Sequence, residues 1–330
     1  QAVVADDDWA RLTHPDADPL VTRVFTLVQP TILRTRNQSL AEMGYDQSHM
    51  VDTAASAYPL AQTLYYASGV LAVAPPVLEN TNDPGGLGFL HATEPAILFG
   101  AAAATIEATT QQLAYLTGRH LTYYRPGFYV QKLVPTGTGL KAWLFAAIKL
   151  CVPNFPVAVD IQAQVEEAVT ALQKDMAPAQ KDQLASTVSK ILKEGTALDL
   201  KRWVAGIDLS ADRAGFLLAH DLETASECIR ATEADSPVTT KERLKELERE
   251  VRELRADLGL GHVAGRVRQL ALVDLVEGRP RFLGLVDARQ RLGGAEGLGQ
   301  VGERDLSHDG PRHWRRCGRR GRWWRRRGRG

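Results

Sequence analysis

The stretch "QLAYLTGRHLTYYRPGFY", residues 112–129, decides how this chain is read. Leu113, Leu116, His120 and Tyr124 recur at helical spacing, so they share one face. Leu121 widens that face and Pro126 stops the run. The pattern predicts a helix across residues 105–125. Tyr123, Tyr124, Phe128 and Tyr129 then crowd its far end. Aromatics gathered this way line a peptide groove or pack the end of a helix, and we read them as packing.

Working outward, the period of the pattern changes. Upstream, "PVLEN", "LGFLHAT" and "EPAILFG" are short runs bounded by Gly, Pro and Asn, with the turn signal "TNDPGG" between the first two. They predict two or three strands of a small sheet. Ahead of them, residues 17–43 and 49–73 carry helical patterns. Pro59 marks a kink or a late start in the second, and the prolines at 75 and 76 end it.

Downstream the chain reads as helical to residue 235. "LKAWLFAAIKLCV" is nearly all apolar and belongs at the centre. "DIQAQVEEAVTALQKDM" has Asp160 in position for an N-cap, and "PAQKDQLASTVSKILKEG" runs from Pro to Gly. Residues 240–258 are highly charged, with Leu244, Leu247, Val251, Leu254 and Leu258 at a/d spacing. The seam covers about two heptads, short of what a coiled coil needs. It therefore reads as a solvated helix laying one stripe on its own domain, with a dimer zipper as the alternative.

Composition bounds the function classes. With 44% hydrophobic and 24% charged residues in 330, the chain is of globular type. Cys151, Cys228 and Cys317 are far apart and form no C-x-x-C pair, which favours a reducing, cytoplasmic setting. No apolar run reaches the roughly 18 residues of a membrane span. The start, "QAVVADDDWARL", has acids where a signal peptide has bases and no initiator Met, so the chain is expected to begin inside a longer protein. A net charge of +1 conceals a division. The last 20 residues hold ten arginines and no acid, which leaves residues 1–310 at −9. That body offers no basic footprint for nucleic acid. Residues 259–330 contain 17 arginines, 15 glycines and no lysine. This composition suits either a nucleic-acid tail or a reading-frame change, and little fixed structure in both cases.

Nucleophilic catalysis has no motif here. There is no G-x-S-x-G elbow, Cys151 lies in an apolar run, and "TGTGLK" lacks the spacing of a phosphate loop. His49, His91 and His220 are scattered. The remaining motif is an altered one. A zinc-peptidase helix carries H-E-x-x-H, placing two imidazoles on one ion and a carboxylate on its water. In "GRHLTY", after Gly118, Arg119 takes the place of the first His, His120 that of the Glu, and Tyr123 that of the second His. Arg119 puts a permanent cation where the metal would be, Tyr123 is a poor zinc ligand, and His120 supplies no carboxylate.

With "IDLSADRAGFLLAHDLETA" at residues 207–225, the region 67–231 resembles the catalytic domain of the HtpX-like zinc metallopeptidases. That resemblance implies an α+β, predominantly helical, zincin-like domain with a small two- or three-stranded sheet. It places Asp208 on the third metal ligand, Asp212 on the acid behind it, and Arg213 and Gly215 in the helix-packing pattern. Similar degenerate domains end large bacterial helical-repeat proteins.

The expected layout is an N-terminal helical segment (1–50), a peptidase-like core with a small sheet (51–235), a charged helix (236–258) and the Gly/Arg-rich tail (259–330). Arg119, His120, Tyr123, Asp208 and Asp212 form a vestigial site with no catalytic residue, metal or cofactor. An ion pair between Arg119 and Asp208 is expected to stand in for the metal. The function implied is a catalytically inactive scaffold or interaction domain, whose partners are a protein or other domains of a longer chain. The alternatives are a divergent metallopeptidase using His120, Asp208 and Asp212, and a nucleic-acid binder acting through the tail.

Overall fold

Several helices open where the sequence supplies a proline or a side-chain acceptor. A computed structural model describes residues 3–195, 198–233 and 236–259. Helix α1 (Asp6–Leu12) has three acids in its first turn, where they oppose the helix dipole. Helix α2 (Pro19–Arg36) is capped by Asp18, whose carboxylate accepts from the N–H groups of Leu20 and Val21. It runs through Pro30 without ending. Helix α3 (Pro59–Leu71) begins at Pro59, so that proline is a first-turn residue and not a kink.

The sheet follows. Strands β1 (Val77–Asn80), β2 (Leu87–Leu90) and β3 (Ala96–Gly100) lie in the order β1-β3-β2, parallel between β1 and β3 and antiparallel between β2 and β3. Met50 bridges the outer side of β1, leaving β2 as the edge strand.

Helix α4 (Ala101–Ala104) is one turn, and α5 (Thr110–Thr122) carries the decisive stretch. It starts five residues later than its apolar pattern suggests. Thr109 and Gln112 close a reciprocal capping box, at 3.2 and 2.9 Å, that fixes the first turn. Helices α6 (Val130–Leu133), α7 (Gly137–Cys151), α8 (Gln162–Asp175), α9 (Pro178–Glu194), α10 (Leu200–Ala219), α11 (Leu222–Ala231) and α12 (Thr240–Gly259) complete the set. Asp160 does not cap α8. It lies in a 3-10 turn, Val159–Ile161, whose buried Ile161 takes the cap position.

Two apolar cores flank the α5/α10 pair. One gathers α2 and α6–α9 with Trp203, Ile207 and Ala211 of α10. The other gathers α1, α3 and the sheet with Leu113 and Leu121 of α5 and Ala214 and Leu218 of α10. The two helices touch closely because glycines face the contact. A Cβ on Gly118 would lie 2.9 Å from the Ala214 carbonyl oxygen, and one on Gly215 would lie 2.8 Å from that of Tyr115. Helix α12 lays Leu247 and the half-buried Leu244 against Tyr115, Ala225, Cys228 and Ile229, the single stripe expected of it. The side chains of Leu254 and Leu258, and the tail at 260–330 with Cys317, lie outside the described residues. Among the described residues no helix is long and apolar enough to cross a membrane.

The Gly118/Gly215 contact yields a test. Gly→Ala within a helix normally gains up to about 1 kcal/mol. Gly215→Ala is expected to lose about 1–3 kcal/mol instead, as overpacked contacts do, in urea unfolding followed by circular dichroism. A stabilised variant would show that the helices are not in contact there.

Candidate functional site

Helical spacing of four puts Tyr115, Arg119 and Tyr123 on one face of α5, and Asp208 and Asp212 on one face of α10. The helices run antiparallel, so these faces meet as a ladder. The Tyr115 hydroxyl donates to Asp212 Oδ1 at 2.6 Å, and the Tyr123 hydroxyl donates to Asp208 Oδ1. Between them Arg119 donates from Nη2 to Asp208 Oδ1 at 2.7 Å and from Nη1 to Asp212 Oδ1. Arg119 Nη1 also reaches the Asp208 carbonyl oxygen at 3.2 Å.

Two further residues enter from the C-terminal side. The Ser236 hydroxyl donates to Asp208 Oδ2. Arg243 of α12 clamps Asp212, with Nε to Oδ2 at 2.7 Å and Nη2 to Oδ1 at 2.8 Å. Two guanidiniums thus neutralise two carboxylates, and both aspartates are at most 1% exposed. Desolvating such charges costs several kcal/mol each, recovered only when every one is paired. Burial would raise the Asp208 carboxyl, but the Arg119 charge and the Ser236 and Tyr123 bonds outweigh it and hold it below the usual range. Burial, with the adjoining carboxylates, pushes both phenols upward, so Tyr115 and Tyr123 remain hydroxyl donors.

His120 lies elsewhere. One helical position on from Arg119, its ring stacks on Phe89 of β2 at 4.3 Å and hydrogen-bonds the backbone of Gly88. It packs against the edge strand rather than a carboxylate. Its Nε2 is buried without a partner. Burial, aided by the Lys132 charge, drops its pKa to about 3, so the ring is neutral at pH 7. Lys132 sits 3.9 Å from the Tyr123 ring centroid, and the His91 Nδ1 meets the Tyr129 hydroxyl at 2.9 Å. Tyr123, Phe128 and Tyr129 are buried, as a packed helix end requires.

Of the five residues singled out by sequence, the structure gathers Arg119, Tyr123, Asp208 and Asp212 and sends His120 to the sheet. The set His120, Asp208 and Asp212 is not brought together, and the described residues contain no group of three or more His, Cys, Asp or Glu arranged for a metal. The fit to zinc is poor on donor chemistry as well. The space between the aspartates is spanned by a guanidinium that donates to both, and among the described residues no imidazole bonds to either. Three members were missed: Tyr115, Ser236 and Arg243. Tyr115 was recoverable, being one turn before Arg119. Arg243 was concealed beside the Leu244 of a charged seam.

Comparison with protein-family models, with curated proteins and with solved structures found no match.

Two outcomes follow from the geometry. Arg119→Met strands two buried carboxylates on one guanidinium and is expected to cost about 3–5 kcal/mol, the usual penalty for breaking a buried pair. Arg119→Met/Asp208→Asn restores neutrality and should be less destabilised than the two single variants summed. Additive losses in urea melts would mean the groups are uncoupled. For His120, a folded pKa of about 3 against roughly 6.5 unfolded means that the unfolded chain binds the extra proton. Stability contributed by the neutral ring is therefore complete above about pH 6.5 and falls toward pH 3, by roughly 1.4 kcal/mol per unit. Urea midpoints between pH 7.5 and 4.5 should decline less steeply for His120→Gln than for the wild type; equal slopes would contradict a buried neutral His120.

Proposed function

We propose that this chain is a catalytically inactive, zincin-like domain with a scaffold or protein-interaction role in a larger bacterial protein. One observation carries the reading: the Arg119 guanidinium donates to both Asp208 and Asp212. In the HtpX-like pattern these positions would be a zinc ligand and its supporting acid. A fixed cation there supplies the positive charge that holds the acids, but it has no open coordination position to polarise a carbonyl or acidify a water.

The surroundings agree with that role. In that pattern Tyr123 would take a ligand position, and here it is a hydroxyl donor to Asp208; His120 would take the general-base position, and here it is a neutral ring bonded to Gly88. No carboxylate on α5 stands beside the guanidinium, since Arg119 and His120 are flanked by Gly118, Leu121 and Thr122. What remains is a rigid junction of helices and a small sheet, suited to holding a shape for a partner. The metallopeptidase alternative gains no support from the placement of His120.

The test is enzymatic. The purified chain, supplied with zinc and a mixed peptide library, is expected to release no products above a protein-free blank. Zinc-dependent turnover that Asp208→Asn abolishes would refute the proposal.

A further inference from the structure

We draw no further inference here: the strongest candidate, the outer edge of strand β2 beside the buried, unpartnered Nε2 of His120, carries nothing because nothing in the structure shows what covers it.

Discussion

A buried guanidinium between two buried carboxylates is the constraint on which the rest of this structure depends. Arg119 cannot shed its proton, and neither Asp208 nor Asp212 has solvent to fall back on. The three must stay in contact or pay the desolvation cost of each charge. This requirement fixes the register of α5 against α10. It also explains why glycines stand at 118 and 215, since a longer interhelical distance would pull the guanidinium off its acceptors.

One arginine cannot neutralise two acids, and the balance is met from α12. Arg243 supplies the second positive charge, while Tyr115, Tyr123 and Ser236 supply neutral donors to the remaining lone pairs. The ladder therefore ties three helices and the segment before α12 into one electrostatic unit at the boundary of two apolar cores. The polar groups of Tyr115, Arg119, Tyr123, Asp208, Asp212, Ser236 and Arg243 are bonded to one another.

Much of this was legible in the sequence, for identifiable reasons. The strand runs at 77–80, 87–90 and 96–100 were bounded by strong turn signals, and the charged helix carried a clear stripe. Asp160 was misread because a cap residue and a 3-10 turn look alike without coordinates. Arg119, Asp208, Asp212 and Tyr123 were found by their order along a motif, and His120 was carried in with them. Its departure to Phe89 is a matter of helix geometry, because adjacent residues on α5 point about 100° apart. Arg243 was invisible for the opposite reason. Its partner Asp212 is 31 residues away, and in a helix of many charges nothing local distinguishes the one that is buried.

The claim that a guanidinium holds the position between Asp208 and Asp212 is most directly examined by diffraction from crystals grown with excess zinc, recorded on both sides of the zinc absorption edge. Density that places the Arg119 guanidinium within hydrogen-bonding distance of both aspartates, with no anomalous peak within about 2.2 Å of their oxygens, is the expected result. An anomalous peak at that distance from Asp208, with the Arg119 side chain swung away, would contradict it.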